Sequence, residues 1–98
     1  MTNNKKLFNQ ISIIGLGLIG SSLALSIRKS KISSRTVGYS RSPKTRNTSK
    51  RLKLVDKVSN KLEDSVRGSD LIIVCTPLSS YANIIKKIIP RISKGTII

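Results

Sequence analysis

Residues 11–27 read ISIIGLGLIGSSLALSI, an apolar run that passes through Gly15, Gly17 and Gly20 into a second run of small and aliphatic residues. The order is strand, glycine turn, helix: Ile11, Ile13 and Ile14 make a buried strand, and residues 21–27 make the first helix. Each glycine has a separate task. Gly15 lets the chain turn sharply off the strand, Gly17 removes the side chain that would hold a pyrophosphate away from the backbone, and Gly20 lets the helix pack closely. The phosphates would sit at the helix N-terminus, where unpaired amides and the positive end of the helix dipole favour an anion. Glycines at this spacing are common in turns. Following a strand-like run and opening a helix, they form a dinucleotide-binding β-α unit.

The same seventeen residues carry no charge and follow Lys5 and Lys6, the pattern of a signal peptide or a membrane anchor. The run falls short of the roughly 18–20 apolar residues that a spanning helix needs, and three glycines interrupt it. A secretory signal would need a small-x-small cleavage site, and a cut near Ser26 would destroy the β-α unit. No membrane association is expected.

Outward from this unit, strand and helix signals alternate. Residues 35–40 (RTVGYS) read as a second strand, and Ser42-Pro43 opens a helix over 44–52. Residues 54–58 read as a short third strand and 62–66 as a brief helix, with Gly68-Ser69-Asp70 turning into a fourth strand over 71–75. Thr76-Pro77 ends that strand. Ser79 or Ser80 would cap a last helix with isoleucines at 84, 85, 88, 89 and 92, which Pro90 limits or kinks. Lys94-Gly95 then leads into Thr96-Ile97-Ile98, the start of a fifth strand. The pattern is that of an α/β protein, a Rossmann-like doubly wound parallel sheet. Residues 1–98 are expected to form one dinucleotide-binding domain, incomplete because the sequence stops within the fifth strand.

Histidine is absent, which removes the commonest general acid or base, and with a single cysteine no zinc site is plausible. That cysteine, Cys75, lies in LIIVC and reads as a buried core thiol. No disulfide can form within the chain, in keeping with a reducing, cytoplasmic setting.

Four segments together carry a family resemblance: ISIIGLGLIGSSLALSIRKS, VGYSRS, LEDSVRGSDLIIVCTPLSS and IIPRISKGTII. The chain from Gln10 onward resembles the N-terminal nucleotide-binding part of prephenate and arogenate dehydrogenases. The resemblance implies that Gly15, Gly17 and Gly20 bind a nicotinamide cofactor, with Leu18 and Ile19 supplying backbone amides and packing. It places Cys75, Thr76 and Pro77, at the turn after the fourth strand, beside the nicotinamide half. The family's reaction is an oxidative decarboxylation in tyrosine biosynthesis. Hydride leaves the hydroxyl-bearing ring carbon of a cyclohexadiene for the nicotinamide, carbon dioxide is lost and the ring becomes aromatic. The family's serine in a D-x-G-S-x-K segment and its histidine would lie after Ile98, as would the helical substrate and dimerisation domain. No catalytic residue is therefore assigned here. The chain alone is expected to be inactive, the full-length form a homodimer acting on prephenate or arogenate. The glycine and Thr-Pro motifs are shared with other NAD(P)-dependent hydroxyacid dehydrogenases.

Cofactor choice turns on the end of the second strand, where an acidic residue about 20 positions past the glycines would bond the ribose 2′-hydroxyl of NAD. Ser40 stands there, followed by Arg41 and Ser42. A guanidinium and two hydroxyls replace the carboxylate that would repel a 2′-phosphate, and the planar fork of arginine suits a phosphate. Ser40, Arg41 and Ser42, with help from Lys44 and Arg46, therefore read as an NADP pocket, with NAD as the alternative.

The net charge is +15 over 98 residues, and twelve lysines or arginines lie between Arg28 and Lys61 with only Asp56 opposing them. Such a field attracts polyanions. Only Phe8, Tyr39 and Tyr81 could stack on bases, however, and no recognition helix or RNA-binding signature is present. Solvated helix faces explain the charge better than nucleic acid. The competing class is a non-catalytic protein on the same fold, binding a nucleotide or, through its basic surface, nucleic acid.

Overall fold

In β1 (Phe8–Ile14), Ile11 and Ile13 enter one hydrophobic cluster while Ile14 enters another. All three are almost wholly inaccessible. A strand buried on both faces belongs in the middle of a parallel sheet. The computed structural model, which describes residues 7–92 and Gly95, places it there. The remaining elements follow in alternation as α1 (Leu18–Ser30), β2 (Ser33–Tyr39), α2 (Pro43–Leu52), β3 (Lys57–Ser59), α3 (Leu62–Ser65), β4 (Leu71–Val74) and α4 (Tyr81–Ile88). Short 3-10 turns at Leu78–Ser80 and Ile89–Arg91 flank α4.

The sheet order is β3-β2-β1-β4 and every pairing is parallel. Ile11 lies opposite Thr36 of β2 on one side and Leu71 of β4 on the other. The order reverses between β1 and β4, which is the switch point where open α/β sheets bind ligands beyond the strands' carboxyl ends.

One core packs Ile11 and Ile13 against Ala24 and Ile27 of α1, with Leu16, Val55 and Val58. The other gathers Ile14 and Ile72 with Leu62, Val66 and Ile88, from α3 and α4 and their flanks. Between β1 and the segment leading into β4 runs a buried polar seam. Gln10 Nε2 donates to Arg67 O and Ser69 Oγ, both at 2.8 Å, and Ser12 Oγ bonds Ser65 O and Ser69 Oγ.

Several bounds depart from the expected elements: the second strand is Ser33–Tyr39 rather than 35–40, the helix after it starts at Pro43 rather than 44, and the fourth strand is Leu71–Val74 rather than 71–75. The first helix begins at Leu18 rather than residue 21, because Gly17 already occupies its N-cap. The third strand is Lys57–Ser59 rather than 54–58. Leu54 N is still bonded to Ser49 O of α2, and Asp56 N is bonded to Thr36 Oγ1, so extended pairing starts later. The helix expected over 62–66 closes at Ser65, and Ile89 falls in the 3-10 turn that holds Pro90, beyond the end of α4. The fifth strand expected at 96–98 lies outside the described residues. Lys31 and Lys53 end α1 and α2 in the left-handed region, at φ 57° and 54°. No helix among the described residues is long and apolar enough to cross a membrane.

Candidate functional site

The chain leaves β1 through Gly15 at φ +97°, a conformation open to glycine and strained for other residues. Gly15 N donates to Tyr39 O at 2.8 Å, and a Cβ there would lie 2.7 Å from Cys75 O. The turn is thus wedged between the ends of β2 and β4. Leu16 follows into the core, 2 % exposed. A Cβ on Gly20 would come within 1.9 Å of Gly15 O, so the helix can rest on the turn only if this residue is glycine.

Gly17 behaves differently. Its φ is −73°, and a Cβ there would meet nothing within 4 Å. The fold leaves this space open. The first helical bond closes from Ser21 N to Gly17 O at 2.8 Å, so the amides of Leu18, Ile19 and Gly20 precede any intrahelical acceptor. No side chain caps this end of α1 and no acidic residue lies in its first turn. The side chains of Leu18 and Ile19 are 89 % and 76 % exposed, which corrects the expectation that they pack. Their hydrophobicity finds no partner among the described residues because they sit on the outer side of the first helical turn.

Beyond the turn, a cleft of about 680 Å³ opens over the carboxyl ends of the strands. Gly15, Ser40, Arg41, Cys75, Thr76 and Pro77 line it together, whereas Gly17, Leu18, Ile19, Gly20 and Ser42 do not. Ser42 is occupied as the N-cap of α2, its Oγ accepting from Thr45 N at 3.2 Å. Arg41 is exposed and enters no ion pair among the described residues. Arg46 turns back on the loop instead: its Nη1 donates to Ser40 O at 2.6 Å and Arg41 O at 3.2 Å, and its guanidinium lies 5.9 Å from the Tyr39 ring centroid.

On the opposite wall, Cys75 N donates to Ile14 O at 2.7 Å, which places Cys75 one residue beyond β4. It packs against the core of Ile11 and Ile13, as expected, but is half-buried rather than buried, because it stands at the strand's open end. Burial still pushes the thiol's pKa up, so it stays protonated at neutral pH and is a poor nucleophile. Thr76 Oγ1 is buried with no hydrogen-bond partner among the described residues, an orphan polar atom in the wall of the cleft.

Sequence reasoning missed Asn60, Lys61, Glu63, Asn83 and Lys87, which also line the cleft. Two signals pointed to them. Asn60 and Lys61 follow β3 just as Ser40 and Arg41 follow β2, and Asn83 and Lys87 stand four apart on α4, hence on one helical face. Arg41, Lys61 and Lys87 against Glu63 leave the lining cationic, suited to an anionic ligand. No group of three or more His, Cys, Asp or Glu side chains converges among the described residues.

Comparison with known proteins adds to this geometry. The model of the family described as "Prephenate dehydrogenase, nucleotide-binding domain" matches residues 23–98. The chain is 37 % identical over 92 residues to the cyclohexadienyl dehydrogenase of Zymomonas mobilis, covering 93 % of this chain and 31 % of that protein. Among solved structures, an arogenate dehydrogenase from Synechocystis superposes with a TM-score of 0.81 at 30 % identity, over 90 % of this chain and 31 % of that one. Prephenate dehydrogenase from A. aeolicus, in complex with hydroxyphenyl propionate and NAD+, also gives 0.81, at 24 % identity over 91 % and 32 % of the two chains. At that identity the likeness is one of fold. The chain spans about a third of the length of the relatives it matches.

Proposed function

The chain belongs to the prephenate dehydrogenase nucleotide-binding domain family, and from that premise we propose that it holds the nicotinamide cofactor of a prephenate or arogenate dehydrogenase, taking NADP in preference to NAD. The observation that carries the reading is Gly17: the fold has no need of a glycine there, and its open space lies where a pyrophosphate would meet the backbone. The orphan hydroxyl of Thr76 and the cationic cleft lining fit the same ligand.

In this reading the amides of Leu18, Ile19 and Gly20 and the dipole of α1 hold the diphosphate. Arg41, exposed and without an ion pair among the described residues, donates to the 2′-phosphate, with Ser40 beside it. Ser42 contributes by fixing the start of α2 rather than through a free hydroxyl. Cys75, Thr76 and Pro77 flank the nicotinamide half. Bound there, the cofactor supplies the hydride acceptor for the oxidative decarboxylation of a cyclohexadienyl substrate. The chain spans about a third of its relatives' length, and in this reading the groups that handle the substrate come from the rest of such a protein, in a cytoplasmic homodimer. The chain by itself binds cofactor without turnover.

The test is calorimetric titration of the purified chain with NADP and with NAD, repeated on Arg41→Ala. NADP should bind about tenfold or more tightly than NAD, and Arg41→Ala should remove that margin while changing NAD affinity less than about threefold, the scale of a charge-assisted hydrogen bond. Equal losses for both cofactors would remove Arg41 from specificity; no binding by a folded sample would sink the dinucleotide reading.

A further inference from the structure

Two arginines stand at the end of β2, and the structure gives them unlike surroundings. Arg41 projects exposed from the loop. Arg46, half-buried in the first turns of α2, spends Nη1 on the carbonyls of Ser40 and Arg41 and lies over Tyr39, the last residue of β2. We propose that Arg46 is a positioning residue for cofactor specificity: it sets the shape of the loop that presents Arg41 and does not itself bind the 2′-phosphate. The proposal rests on the NADP reading above.

Three physical points support it. The loop has few other anchors. Ser42 N donates to Ser40 Oγ at 3.3 Å and Ser42 Oγ accepts from Thr45 N, both contacts within the loop and its own helix. Among the described residues, Arg46 alone joins the carbonyls of Ser40 and Arg41 to the Tyr39 ring, and so to the sheet. Next, two carbonyl oxygens at the base of Arg41 are partial negative charges that would oppose a phosphate. With Arg46 donating to both, that opposition is reduced. Finally, the arrangement needs a plane. Nη1 alone donates to both carbonyls while the plane of the guanidinium lies over the ring, whereas the nitrogen of a lysine falls one bond short of Nη1 and, as a point charge, cannot hold both carbonyls and the ring together.

The last point gives a test that separates position from charge. Binding of NADP and NAD is titrated on the chain and on Arg46→Lys, Arg46→Met, Arg41→Ala and the Arg41→Ala/Arg46→Lys double variant, and amide exchange at Arg41 and Ser42 is followed by NMR. Arg46→Lys and Arg46→Met should each lower the NADP-to-NAD affinity ratio by about fivefold, the scale of one hydrogen bond, and should speed exchange at Ser42. In the Arg41→Ala background Arg46→Lys should leave the ratio unchanged, since its effect passes through Arg41. A lysine that restores the wild-type ratio, or a further loss of ratio in the double variant, would make Arg46 a direct phosphate contact and overturn the proposal. Unchanged exchange at Ser42 in Arg46→Lys would overturn it too, whatever the cofactor preference. A wild-type chain that binds both cofactors equally would overturn the NADP reading itself, and the specificity role with it.

Discussion

A methyl group added at Gly17 meets empty space, and one added at Gly20 meets the carbonyl of Gly15, so neighbouring glycines of one motif answer to different demands. Gly20→Ala is expected to cost about 3 kcal/mol of stability or more, since backbone must move to admit the Cβ. Gly17→Val should cost only about 1 kcal/mol, through a poorer N-cap, yet lower dinucleotide affinity by about tenfold or more. Urea unfolding read beside cofactor titration checks both; a Gly17 variant that binds normally would move the phosphates elsewhere. Gly15 and Gly20 were legible in the sequence because the turn off the strand and the helix packed on it need them, whereas Gly17 was legible only through the ligand its motif implies. The exposure of Leu18 and Ile19 was not, since an apolar residue in an apolar run gives no sign of which side of the first helical turn it takes. Cys75 packs against the core yet stays half-buried for a similar reason: one residue past the last pairing of β4 is enough to reach the cleft.

At the scale of elements, the connections into the strands carry more design than the strands themselves. Asp70, at the entry to β4, accepts from Asn9 N and Gln10 N of β1, both at 2.9 Å, through its two carboxylate oxygens. Partial desolvation raises its pKa, but the backbone amides of Asn9, Gln10 and Asp70 itself outweigh it and hold the carboxyl below the ordinary value. A carboxyl lowered by folding contributes stability above its unfolded pKa near 3.8, and that contribution is lost as pH falls through the lower folded value. Asp70→Asn should therefore lower the urea midpoint at pH 7 and flatten its decline between about pH 5 and 2, the loss held to about 1 kcal/mol or less by solvent screening. An unchanged acid limb would remove Asp70 from that role. The sequence showed Gly68-Ser69-Asp70 as a turn, and Ser42-Pro43 as a helix start, because turn and cap residues act locally. It misplaced the third strand, because Asp56 and Leu54 are held by Thr36 and Ser49, bonds between residues distant in sequence or closing a helix end.

Over the whole molecule, a parallel sheet of four strands with β1 inside it was foreseeable from the alternation of signals, whereas the convergence of the far wall on one cavity was not. Lys61 and Lys87 are two among many lysines until the fold brings both to one cavity. A net charge of +15 should make the binding of an anionic dinucleotide depend on salt. Raising potassium chloride from about 0.05 to 0.5 M is expected to weaken NADP by about tenfold and NAD by less, because NADP carries the additional phosphate. Equal slopes in a titration series would mean that the 2′-phosphate stays outside the cationic cleft.

The buried polar seam has one further consequence, for how the chain finds its own sheet. Leu71, Ile72, Ile73 and Val74 are alike enough that β4 could slide by two residues along β1 and still turn apolar groups to the same faces. Hydrophobicity cannot tell the two alignments apart. Gln10 and Ser12 can, because only the native alignment sets them against Arg67, Ser65 and Ser69; a slipped strand would bury donors and acceptors with nothing to answer them. Three inconspicuous side chains, Gln10, Ser12 and Ser69, with the carbonyls of Ser65 and Arg67, thus act as a proofreading device in assembly, rejecting the one error that oily residues would accept.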